Sequence, residues 1–213
     1  MCTNNFMNNG GCGCSSSCNC NNQCSSLGPF VAIDAACIVP PPLVNTGSII
    51  PFSSGVTPVL LVSLATGLIN TPVLIGFGSA VPGVTILGNT IDLSGVVTEA
   101  FSVPRPGNIT AISASFTATV ALAVFAGTTT VTATVYRAPA GSTLFTATGA
   151  TVNLAPSFVA PIVIGQTAFA STNVAPVPVV TGDRLLMVFS MITSGVTLVQ
   201  TLTGTASAGI TIA

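Results

Sequence analysis

Apolar and polar side chains alternate along much of the chain beyond residue 100. In NITAISASFTATVALAVF (108–125), Ile112, Ala114, Phe116, Ala118, Val120, Leu122 and Val124 share one side of an extended backbone. Ser113, Ser115, Thr117 and Thr119 fall on the other. A period of two is that of a strand with one buried face. TTTVTATVYR (128–137) repeats the pattern, with Val131, Ala133 and Val135 opposite Thr130, Thr132, Thr134 and Tyr136. The intervening AGTT reads as a turn, so the two segments are expected to pair as an antiparallel hairpin. GVTLVQTLTGT (195–205) sets Val196, Leu198, Gln200 and Leu202 against Thr197, Val199, Thr201 and Thr203. Threonine-rich polar faces belong to strands open to water on one side.

RLLMVFSMI (184–192) breaks the alternation, being apolar at Leu185, Leu186, Met187, Val188, Phe189, Met191 and Ile192. A strand of that kind is buried on both faces. Its second face has two possible covers, a loop of the same chain or a neighbouring subunit. Gly, Pro and Asn recur between the short apolar runs (SAVPGV, LGNT, VPRPGN, RAPAGST), and TPVLLVSLATGL (57–68) is the one segment with any helical character. The expected fold class is all-β, an antiparallel jelly-roll sandwich.

Charge sharpens this picture. Only Asp34, Asp92, Glu99, Arg105, Arg137, Asp183 and Arg184 are charged at neutral pH, and the net charge is −1. The 3% charged fraction compares with about 25% in ordinary globular proteins. A surface built from Ser, Thr, Asn, Gly and small apolar groups lacks the repulsion that keeps chains apart, so self-association is expected. This favours a subunit interface as the cover for residues 185–192. The charge balance gives no reason to expect nucleic acid as a partner. No membrane span is expected either: residues 35–91 are uncharged, but Pro72, Pro82 and repeated Gly interrupt the most apolar window. The N-terminus has no basic stretch followed by an apolar one, so no Sec-type signal peptide is expected.

GSIIPFSSG (47–55), IGFGSA (75–80), IDLSG (91–95), FSVPRPGNITAISASF (101–116), GDRLLMVFS (182–190) and ASAGI (206–210) occur in that order. Together they resemble the C-terminal domain of BclB-type exosporium glycoproteins, collagen-like proteins of bacterial spore surfaces. The resemblance covers residues 47–213. It implies a jelly roll of the C1q and tumour necrosis factor kind, a homotrimer, and a place on the spore surface, in the exosporium or an appendage. Other spore coat or exosporium proteins become candidate partners. The Gly-X-Y stalk that precedes this domain in such proteins is absent here. In its place stand a Cys-, Asn-, Ser- and Gly-rich arm (1–27) and a connector (28–46). Within the connector FVAIDAACIV can extend as a strand through Phe30, Val31, Ala32, Ile33, Cys37, Ile38 and Val39, and Pro40 to Pro42 form a stiff spacer.

The cysteines are Cys2, Cys12, Cys14, Cys18, Cys20, Cys24 and Cys37. Three readings fit a thiol cluster in a segment too polar to build a core. The preferred one is intermolecular disulfide cross-linking, which an odd number of cysteines favours. C-x-C pairs are also the spacing of thiolate metal clusters, and the thiols could have no role at all. Disulfides without an export signal make sense on a spore, whose outer layers are assembled in the mother-cell cytoplasm and meet oxygen after lysis. The connector strand could also join units by adding to the edge of a neighbour's sheet, and repeated head to tail that contact makes a fibre.

Catalysis is not expected. Without His there is no imidazole base and no Ser-His or Cys-His pair, and the carboxylates are scattered. GDR (182–184) and RPG (105–107) read as turns, with Asp183 bonding local backbone and Arg184 pairing with a carboxylate. GFGSAVPG lacks the Lys and the following helix of a phosphate loop. No cofactor and no metal is expected. The alternative to a self-assembling structural protein is a trimeric head that binds a carbohydrate or a host surface.

Overall fold

The computed structural model describes residues 47–63, 71–84, 86, 88–96, 99–122, 127–194 and 199–213. The Cys-rich arm and the connector strand lie outside them. The described residues contain no helix and twelve strands: β1 (Ser48–Ser53), β2 (Val59–Ser63), β3 (Val73–Ile75), β4 (Ala80–Pro82), β5 (Thr90–Asp92), β6 (Phe101–Ser102), β7 (Gly107–Ala118), β8 (Thr128–Ala138), β9 (Leu144–Asn153), β10 (Thr167–Val179), β11 (Arg184–Ser194) and β12 (Gln200–Ile212). They form two antiparallel sheets. The first runs β1-β12-β7-β10, with β2 also on β12, and the second runs β4-β3-β11-β8-β9-β5, with β6 on β11. This is a sandwich of the jelly-roll kind. Among the described residues no helix is long and apolar enough to cross a membrane.

The two sheets face each other across one core. Phe52, Leu61, Ile112, Phe116 and Leu202 of the first meet Val131, Val135, Met187 and Phe189 of the second. Phe116 packs edge-on against Phe158, ring centroids 5.8 Å apart. The even-numbered residues of β7 from Ile112 to Ala118 are buried, as their alternation predicts. Toward its start the buried position shifts to the odd-numbered Ile109, because the pairing slips between Thr211 and Ile212 of β12. One extra residue in a ladder reverses the face that each later side chain takes.

Three local expectations need correction. Segments 108–125 and 128–137 do not pair as a hairpin: β7 bonds to β10 and β12, whereas β8 bonds to β9 and β11 in the other sheet. Both alternating faces are buried, but against each other across the core. The regular pattern also outruns the strand, which ends at Ala118 and leaves Val120 exposed. Finally, Val59–Ser63 is a strand, paired with Gln200–Gly204. Gly55, at φ +57, lets the chain turn between β1 and β2 so that both run along the same edge of β12.

Candidate functional site

The residues expected at a subunit interface lie inside the chain's own fold. Leu185, Met187, Phe189 and Met191 of β11 enter the main core. Leu186 and Val188 point the other way into a second cluster with Leu74, Val84, Ile91, Leu93, Tyr136 and Phe145. Burial on both faces is therefore right, but the cover is the chain's own segment 80–96. Leu185 to Phe189 and Met191 are at most 2% exposed, so among the predicted contacts only Ile192, at 60%, reaches the surface.

The open surface is on the first sheet. Its outer face presents Ser113, Ser115 and Thr117 of β7 beside Thr201, Thr203, Thr205, Ser207 and Thr211 of β12, rimmed by Ile49, Leu60 and Phe169. None of these residues is charged. The hydroxyls pair across the strands: Ser115 Oγ with Ser207 Oγ at 2.9 Å, and Thr117 Oγ1 with Thr167 Oγ1 at 2.8 Å. A hydroxyl that already has a partner loses less when water leaves, so this face is cheap to cover. Two shallow hollows indent it, one among Ser54, Ser115, Thr117, Thr205 and Ser207, the other among Ile49, Ser113, Ser171 and Thr211.

The edges of this sheet are partly closed. Phe169 of β10 exchanges two backbone bonds with Ala155, 2.9 and 3.2 Å long, and Pro176 and Pro178 have no N–H to offer. On β1 the same role falls to Pro51.

The charged residues serve turns. Asp183 is buried, accepts the Val180 N–H at 2.9 Å and faces Arg137 Nε at 3.5 Å. The local bond is as expected, but the guanidinium partner is Arg137. Arg184 instead stacks over the Phe145 ring, 5.3 Å from its centre, and donates to the Ser142 carbonyl. GFGSAVPG (76–83) makes the β3–β4 turn and strand β4, and in the turn Glu99 accepts the Phe77 N–H at 2.8 Å and the Ser79 hydroxyl at 2.9 Å. Those two bonds, the backbone one foremost, hold the Glu99 carboxyl below its ordinary pKa. Asp92 is lowered chiefly by the Ser94 hydroxyl and N–H, and burial raises Tyr136. Among the described residues no three Asp, Glu, His or Cys side chains gather as metal ligands.

The sandwich and its uncharged hydroxyl face define a jelly-roll module. Over 179 residues the chain is 32% identical to collagen-like protein 1 of Acanthamoeba polyphaga mimivirus, covering 79% of this chain and 19% of that protein. The chain thus spans about a fifth of the length of the relative it matches. No protein-family model matches. The likeness agrees with the sequence resemblance at the level of a collagen-like protein, while this chain itself carries no Gly-X-Y repeat.

Proposed function

We propose that this is a structural, non-catalytic, self-assembling protein of the bacterial spore surface, in the exosporium or an appendage. Its jelly roll associates as a homotrimer, and the N-terminal arm joins one unit to the next. The observation that carries this reading is the outer face of the first sheet. It is uncharged and two of its hydroxyl pairs already satisfy each other, Ser115 with Ser207 and Thr117 with Thr167, so a second copy can cover it without stranding a charge. The sequence stretches shared with BclB-type proteins support both the trimer and the spore location, and the collagen-like relative supports a structural role.

All seven cysteines lie between residues 2 and 37. A disulfide between copies therefore joins the N-terminal segment of one to that of another, and never reaches the jelly roll. The bonds would lock an assembly already formed by packing.

Negative-stain microscopy of the purified protein, with and without reductant and beside a non-reducing gel, tests the reading. Fibres or sheets that run as a covalent ladder are expected, and deletion of residues 1–38 should leave trimers without polymers. Discrete particles indifferent to reductant would remove the cross-linking role. A monomer in sedimentation would remove the trimer.

A further inference from the structure

A turn of the second sheet is fastened to the edge of the first. Gly76, Phe77 and Gly78 lead from β3 toward β4, and they bond to Ser53 at the end of β1. The Ser53 N–H donates to the Gly76 carbonyl at 2.9 Å, and the Gly78 N–H donates to the Ser53 carbonyl at 2.9 Å. The backbones come so close that a Cβ on Gly55 would run into the Gly78 carbonyl. Phe77, half-exposed, lies over the junction, its ring stacked on buried Phe52 at 5.5 Å and edge-on to Phe101 at 6.5 Å.

A carboxylate fixes the shape of this turn. Glu99 Oε2 accepts both the Phe77 N–H and the Ser79 hydroxyl, and the Gly76 N–H closes the turn on the Ser79 carbonyl at 3.0 Å. A Cβ at Gly76 would stand 2.7 Å from both Cβ and Oε2 of Glu99, so glycine is what admits the acid here. Hydrogen bonds to an ionised acceptor are roughly twice as strong as neutral ones, so the hold on the turn depends on the charge of Glu99.

Among the described residues no second charge faces this carboxylate. β1, β3, β4, β6 and the turn carry no titratable side chain. Arg105 bonds Ser48 at the other end of β1, about 17 Å from Ser53. Arg184, opposite Ser102, is turned to the Phe145 ring, and Asp183 faces Arg137. Asp92 sits on β5 at the opposite edge of the sheet, and Tyr136 lies inside the second cluster. Glu99 itself is exposed, so a proton reaches it freely.

We propose that Glu99 is an acid-released clasp on the β1 edge: charged, it holds turn 76–79 on Ser53, and protonated, it frees the turn while the rest of the sandwich stays folded. What the clasp hides is a strand edge. With the turn away, the Ser53 N–H and carbonyl and the Phe52 ring are open to a second chain, the hazard that a covered edge avoids. The lowered pKa of Glu99 agrees in direction, because bonds that favour the charged form are given up when it takes a proton, and release therefore comes below the ordinary value of 4.5. Every contact involved lies within one copy, so the clasp is independent of the assembly reading.

Hydrogen exchange of the full-length protein, corrected for the intrinsic rate at each pH, tests this by comparing segments 52–55 and 76–79 with 185–191 of β11. Between about pH 6 and about pH 2.5, on either side of the carboxyl range, protection of the first two segments should fall about tenfold, the worth of one hydrogen bond to a charged group. That of 185–191 should hold. Glu99→Gln should show the low-pH protection at both pH values. So should Gly76→Ala, which leaves the carboxylate charged but pushes it off the turn. Turn protection indifferent to pH, a pH step that persists in Glu99→Gln, or an equal loss in 185–191 would each overturn the proposal.

Discussion

The two sheets handle the same excess of apolar and uncharged residues in opposite ways. The second sheet buries β11 on both faces, between the main core and the cluster built by Leu74, Ile91, Tyr136 and Phe145. The first sheet buries one face and turns an uncharged plane of Ser and Thr outward, in which Ser115 pairs with Ser207 and Thr117 with Thr167. The most apolar strand is therefore not the one that needs a partner. Surface left without charge and without cover is the better mark of an association site than hydrophobicity along the chain.

Truncating the core should give the largest effect. Phe189→Ala, at a fully buried position, should cost about 3–5 kcal/mol, and Leu186→Ala in the second cluster about 2–5 kcal/mol. Urea unfolding reads both. A small loss for Leu186→Ala would mean that segment 80–96 covers β11 loosely, returning that face to the list of candidate contacts. Gly204→Ala belongs with these, since a Cβ there would collide with the Thr117 carbonyl and the Phe116 ring.

On the open sheet the contrast reverses. Ser115→Asp with Thr205→Asp should change the stability of an isolated subunit by no more than about 0.5 kcal/mol. The same pair should break the trimer, because it buries unpaired charge at the contact. Sedimentation equilibrium checks this, and a trimer that survives would move the contact elsewhere. A smaller effect is expected at Thr129, whose buried Oγ1 has no hydrogen-bond partner. Thr129→Val should stabilise the fold by up to about 1 kcal/mol in thermal unfolding, since an orphaned hydroxyl is a cost.

The smallest effect concerns pH. The folded-state pKa of Glu99 is lowered, so its contribution is complete above its ordinary value of 4.5 and is lost as pH falls through the lower folded value. Glu99→Gln should flatten the acid side of the stability curve and leave the neutral side parallel to it.

Much of the fold was legible in the sequence because one-sided burial imposes period two. Ile112, Phe116, Val131 and Val135 were identifiable as core, and the all-β class followed from the Gly and Pro punctuation. The hairpin expected over 108–137 does not form, because alternation tells which face of a strand is buried and not which strand lies beside it. Arg184 reads from the sequence as the partner of a carboxylate, yet Arg137 faces Asp183, because the end of β8 lies beside the start of β11.

What the sequence determined by itself is the class of sandwich, the scarcity of charge and the confinement of every cysteine to the first 37 residues. Tertiary structure alone decided which uncharged surfaces stay open. The cover over β11 comes from residues some hundred positions earlier in the chain, and the β1 edge is closed at Ser53 by a turn of the other sheet. Side-chain period is a local property, fixed by backbone geometry. Exposure is a property of the packed whole.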